Sequence, residues 1–130
     1  MGRLATVRPD GSPHVVPFVF VLVGNGNDLL AYWVVDAKPK KRDTIQRIRN
    51  IEANPMVEFV VDGYEEDWSG LWWVRAMGRA RAVTSEEEQR AALTALSGKY
   101  PQYETEPPGG PVIAIEVERV TGWSAAETRP

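Results

Sequence analysis

Three apolar, β-branched segments, residues 3–7, 14–23 and 29–35, follow one another with only turn-forming residues between them. In the first connection, RPDGSP, Pro9 presets φ, Asp10 can hydrogen-bond its own backbone and Gly11 can take a positive φ. These residues predict a hairpin. The second connection, GNGND at 24–28, leads into LLAYWVV, which reads as another strand. Strands in direct succession, with no crossover helix, favour an antiparallel barrel or sandwich over a parallel sheet.

The rest of the chain continues that pattern with two interruptions. Ile45, Ile48 and Ile51 recur three apart among charged residues, which predicts an amphipathic helix over 43–53, capped by Asp43 or Thr44 and ended by Asn54-Pro55. MVEFVVD (56–62) reads as a strand. After the loop GYEEDWSG comes a long strand over 71–83, in which Gly78 predicts a bulge. TSEEEQRAALTALSGKY predicts a second helix, with Ser85 and Glu88 spaced as a capping box and Gly98 as its stop. VIAIEVERVTGW (112–123) alternates as a final strand. The expectation is a mainly β, six-stranded antiparallel barrel with two short helices, one domain over residues 1–130. A core is affordable at this size, because 43% of the residues are hydrophobic.

Several functional classes are excluded at once. With no cysteine and one histidine, thiolate metal sites and histidine clusters cannot be built, and no metal is expected. No run approaches the ~18 apolar residues of a membrane span, and residues 15–23 lack a basic leader. A soluble cytoplasmic protein is expected. The net charge of −3 argues against nucleic-acid binding.

Yet six of the 15 basic residues, Lys38, Lys40, Lys41, Arg42, Arg47 and Arg49, crowd into residues 38–50. A turn holding three lysines beside a helix N-terminus suits a phosphate or phosphodiester, whereas charge on the helix alone would be an ordinary wet face. Pro17 deletes a ladder hydrogen bond, so its strand is an edge or is irregular there. His14 is either a strand histidine without function or the chain's one candidate proton donor. The aromatics of YEEDWSGLWW serve either core and interface or a lid over a flat ligand. Arg75, Arg79 and Arg81 share one strand face and read as solvated, and Glu86 to Glu88 read as helix-capping charge.

RLATVRPDGSPHVVPFVFVL, AYWVVDAKPKK and RIRNIEANPMVEFVVD, in that order, resemble the pyridoxamine 5′-phosphate oxidase-like split-barrel flavin and deazaflavin oxidoreductases. DAKPKK, YEEDWSGLWWVRAMGRARA, KYPQY and PPGGPVIAIEVERVTGWSA resemble more narrowly the branch that uses coenzyme F420. The resemblance implies a split-barrel homodimer with two cofactor sites at the subunit interface and a small-molecule substrate. It implies that Lys38, Lys40 and Lys41 hold the cofactor's phosphodiester, with Arg49 and Asn50 nearby. It further implies that Val15, Val16 and Pro17 line the ring, and that Trp33 and one of Trp72 or Trp73 flank it.

Two features depart from the family pattern. Members carry a helix before the first strand, whereas this chain reads as starting almost on that strand at Met1-Gly2-Arg3. The flavin oxidases tend to carry an arginine where this chain has Val15, Val16 and Pro17, which counts against a true pyridoxamine phosphate oxidase. The expected function is hydride transfer from a deazaflavin to a small organic acceptor. The same fold using flavin mononucleotide, a non-catalytic deazaflavin carrier, and a plain interaction domain remain as alternatives.

Overall fold

The structure is a computed structural model that describes residues 1–35, 42–106 and 108–125, with the side chains of 42–45 outside the description. Its strands are β1 (Gly2–Val7), β2 (Pro13–Phe18), β3 (Val21–Val23), β4 (Leu30–Val34), β5 (Met56–Gly63), β6 (Trp72–Ala82) and β7 (Val112–Ser124). The helices are α1 (Arg42–Ala53), α2 (Glu86–Lys99) and the single turn α3 (Gln102–Thr105). The strands form one antiparallel sheet in the order β2-β1-β5-β6-β7-β4-β3. The two edge strands, β2 and β3, are consecutive in the chain with only Val19 and Phe20 between them. The sheet must therefore curl until its edges adjoin, yet those edges do not pair. That geometry is a split barrel.

The structure has seven strands where six were expected, because residues 14–23 do not run as one strand. The break has a clear cause. The Phe20 N–H donates to Tyr100 Oη at 3.3 Å, and the Phe20 carbonyl accepts from Tyr100 Oη at 3.0 Å and Lys99 Nζ at 2.6 Å. With its backbone groups held by the end of α2, Phe20 becomes a corner instead of a ladder residue. A third helix also appears, α3, where a loop was expected, and α2 runs through Gly98 to Lys99 instead of stopping there.

Local signals that carry their own partners behave as read. Gly11 adopts φ +91, and Asp10 accepts from the Ser12 N–H and hydroxyl. The register of β6 on β7 shifts between Met77 and Gly78, where a Cβ on Gly78 would lie 2.2 Å from the Glu116 carbonyl oxygen. That is a bulge.

The barrel interior is filled by Leu4, Val16, Phe18, Phe20, Trp33, Val57, Phe59, Ile113 and Ile115. A second cluster, Tyr32, Val83, Ala92, Leu96, Val112 and Ala114, seats α2 on the outer face of β4 and β7. These two strands are covered on both sides, which explains their nearly continuous apolar runs. Each buried Val, Leu, Ile or Phe side chain contributes about 1.5–3 kcal/mol.

Polar contacts fasten α2 further. Ser85 Oγ accepts from the Glu88 N–H, but the Glu88 carboxylate does not complete a capping box. It takes a bidentate pair from Arg81 and a 2.7 Å hydrogen bond from the Tyr32 hydroxyl, so it is more than capping charge. Nor are the three arginines merely solvated. Arg75 meets Glu58, Arg79 meets Glu118, and Arg81 also meets Glu116 at 2.7 Å.

The Arg81 guanidinium and then the Tyr32 hydroxyl hold Glu88 below the usual carboxylate range. Burial, then Glu88, push the Tyr32 phenol from its ordinary 10.0 up to about 12. A raised folded-state value means the contribution is complete below pH 10.0 and is lost as pH climbs toward about 12. Glu88 works in the opposite direction, losing its contribution as pH falls through its lowered value. Tyr32→Phe is expected to flatten the alkaline loss of stability relative to the parent, measured by denaturant titration across that window. A difference curve that stays level between the two would contradict the assignment.

Candidate functional site

A cleft of ≈ 340 Å³ opens where β2, β4 and α1 meet, lined by Met1, Pro17, Phe18, Val19, Trp33, Val34, Arg47 and Tyr103. The strands set the approach angles. Along β2, burial alternates, with His14, Val16 and Phe18 inside and Pro13, Val15 and Pro17 outside. Pro17 thus stands on the outer side of an edge strand and offers no N–H of its own. β4 turns Trp33 inward, where it is only 2% exposed and meets Phe18 edge-on at 6.2 Å.

Arg47 comes from α1 and places its guanidinium carbon 4.9 Å above the Trp33 ring. Such a stacked pair favours planar, electron-rich or anionic partners over compact cations. Trp33 supplies a second feature. Its Nε1–H is buried and has no acceptor among the described residues. A buried donor without an acceptor costs about 1–3 kcal/mol, so a ligand acceptor at this cleft would recover that energy.

The structure therefore joins two of the residues expected from the sequence, Pro17 and Trp33, and adds Arg47, Met1 and Tyr103. Arg47 was visible only as one of several helix charges. Arg49 is exposed and does not line the cleft; two residues along a helix turn a side chain by about 200° from Arg47. Asn50 is fully buried. Its amide donates to Thr6 Oγ1 at 2.9 Å and its carbonyl accepts from Gln46 at 2.8 Å, so it ties α1 to β1 instead of facing the cleft.

Val15 is 61% exposed on the outer face and Val16 is buried, since alternation forbids three consecutive residues from lining one ring. His14 is buried at 6% opposite Thr6. Within one chain neither Trp72 nor Trp73 lines the cleft. Trp72 lines a different cavity, and Trp73 lies under the Arg75 guanidinium at 5.0 Å. Lys38, Lys40 and Lys41 lie outside the described residues. The described chain on both sides of them, Val34 before and α1 after, borders the cleft.

An antiparallel sheet curled into a split barrel, with a cleft at its edge strand, defines the class of fold. The chain is a member of the pyridoxamine 5′-phosphate oxidase family, whose profile matches residues 1–124. Among solved structures, a conserved hypothetical protein of Mycobacterium tuberculosis is similar at 20% identity and TM-score 0.74, covering 95% of this chain and 76% of its own. A heme-binding protein of Mycobacterium smegmatis matches 98% of this chain at 20% identity and TM-score 0.74, but this chain spans only 50% of it. An FAD-binding protein of Mesorhizobium loti is 26% identical over 93% of this chain and 83% of its own, with TM-score 0.61. No protein of curated function matches the chain. No helix among the described residues is long and apolar enough to cross a membrane.

Proposed function

We propose that this protein is an oxidoreductase that binds coenzyme F420 at the Pro17–Trp33–Arg47 cleft and reduces a small organic acceptor. The observation that carries the reading is the buried Trp33 N–H without an acceptor among the described residues, beside a stacked guanidinium, in the cleft bordered by Pro17, whose strand the family resemblance assigns to the cofactor ring. When bound, the deazaflavin supplies hydride chemistry, and the protein supplies position and electrostatics. Trp33 donates a hydrogen bond to a ring or side-arm acceptor. Arg47 faces negative charge across the indole, and the bare Pro17 edge admits a flat ring. Lys38, Lys40 and Lys41 hold the phosphodiester in this reading, and three lysines so close in sequence suit a polyanionic arm.

Homodimerisation belongs to the same proposal. Val15, Ala5 and Val60 form an apolar patch among Arg3, Glu58 and Arg75 on the outer sheet face, a surface suited to a second copy. The substrate is a small molecule, the site is cytoplasmic, and neither nucleic acid nor membrane takes part. His14, buried in the barrel, is poorly placed to donate a proton in the cleft.

A second reading is a flavin in the same cleft, favoured by the 26% identical FAD-binding relative. Heme is less compatible, because the single histidine is buried. Fluorescence titration with deazaflavin, flavin mononucleotide, FAD and heme separates these readings. Deazaflavin is expected to bind tightest, and Lys38→Ala with Lys40→Ala to weaken it by about 2–4 kcal/mol with little change in folding. Tight flavin binding with no deazaflavin response turns the assignment to the second reading.

A further inference from the structure

The barrel has a second cavity that no part of the cofactor reading uses. It occupies ≈ 300 Å³ at the mouth of the barrel, and Phe20, Leu22, Phe59, Trp72, Val74 and Lys99 are among the eleven residues around it. That volume is at the lower end of the range for small-ligand pockets. Ten of the eleven are apolar, and Lys99 is the only charged one. The stacked and tilted rings of Phe18, Phe20 and Phe59, with centroids 4.9–5.4 Å apart, fill the core between this cavity and the cleft at Trp33.

The lining is not a buried core. Leu22 is 50% exposed, Trp72 40% and Val74 39%, so large apolar side chains face an open concavity. Lys99 is held at the rim, where its ammonium donates to the Phe20 carbonyl at 2.6 Å and sits 4.7 Å over the Phe20 ring and 5.2 Å over Tyr100. An ammonium has three donors, so this preorganised one keeps capacity for an anion. Around Trp72 the preceding loop carries Glu65, Glu66 and Asp67, which disfavour an anionic group on that side.

We propose that the barrel mouth binds a small amphipathic carboxylate, its hydrocarbon body among Phe59, Trp72 and Val74 and its carboxylate on Lys99. The sign of the only charge in the lining selects an acid over an alcohol or an amine. The concave apolar wall selects a body without polar groups. This site stands independently of whether the cleft holds a deazaflavin, a flavin or neither.

The experiment uses decanoate, decanol and decylammonium as the three probes, each titrated into the intact protein and followed by amide and indole nuclear magnetic resonance. Decanoate is expected to shift Trp72, Val74 and Val61 saturably, at least tenfold more tightly than decanol, with decylammonium weakest. Lys99→Met should bring decanoate to the decanol value, while Lys99→Arg keeps the preference. Val74→Trp, at the exposed rim, should abolish all binding. Should Lys99→Met fail to fold, the ranking of the three probes on the parent protein decides. Equal binding of decanoate and decanol overturns the proposal, as do shifts confined to other residues. It is also overturned if the same resonances shift on concentrating the protein alone, which would mean that a second copy covers the mouth.

Discussion

Trp33→Ala is expected to lower stability by about 3–5 kcal/mol, whereas Trp33→Phe costs less than about 1.5 kcal/mol. The indole is almost fully buried, is met edge-on by Phe18, and packs among Ile113, Ile115 and Val57 in the barrel core. Truncation to a methyl removes that surface and leaves a cavity the surrounding sheet cannot close. It also strips the ring from beneath the Arg47 guanidinium. Phenylalanine preserves most of the apolar surface and deletes an N–H that has no acceptor among the described residues, so the folded state loses no hydrogen bond there. The pair separates packing from recognition. If the indole donates to a cofactor, the phenylalanine variant stays folded yet binds about 1 kcal/mol more weakly. Denaturant unfolding and cofactor titration of both variants measure the two effects. A phenylalanine variant as unstable as the alanine one would show that the N–H is structural.

Gly78→Val is expected to cost at least about 3 kcal/mol, because backbone, not a flexible side chain, occupies the space a Cβ would need. The obstructing atom is the Glu116 carbonyl oxygen at 2.2 Å, across the β6–β7 pairing. The extra residue of the bulge is Glu118 on β7, so β6 keeps its alternation through Gly78. Ala76 and Ala80 stay inside while Arg79 and Arg81 reach Glu118 and Glu116 outside. Displacing the bulge thus disturbs both the core layer and the ion pairs. Gly98→Ala serves as the comparison, since nothing lies within 4 Å of a Cβ there, and it should be neutral or slightly stabilising in α2. Thermal unfolding of the two variants side by side makes the contrast, and a benign valine at 78 would refute the backbone clash.

What could be read from the residues was what they decide among near neighbours. The Asp10–Gly11 turn and the Ser85 cap each depend on a few adjacent positions, and each was legible, whereas Gly78 marked the place of a bulge whose extra residue, Glu118, comes from the neighbouring strand. The break after Phe18 was not, because Lys99 and Tyr100 impose it from some 80 positions away. The pairing of Arg75, Arg79 and Arg81 with acids depends on which strands adjoin and in what register. Neither can be seen from one strand. At the candidate cleft, Pro17 stood out as a proline within a strand and Trp33 through family resemblance, whereas Arg47 was hidden among equal charges on its helix. The burial of Asn50 depends on Thr6, 44 residues earlier.

The fastening of Phe20 by Lys99 and Tyr100 has a consequence for how the chain emerges during synthesis. The opening hairpin can form early from its own turn, but β1 waits for β5, and the corner that brings the two outer strands side by side waits for residue 100. The nascent strands before that corner are thus left as an unfinished ribbon with a bare rim until residues 99 and 100 have left the ribosome. Closure is then a late, long-range event.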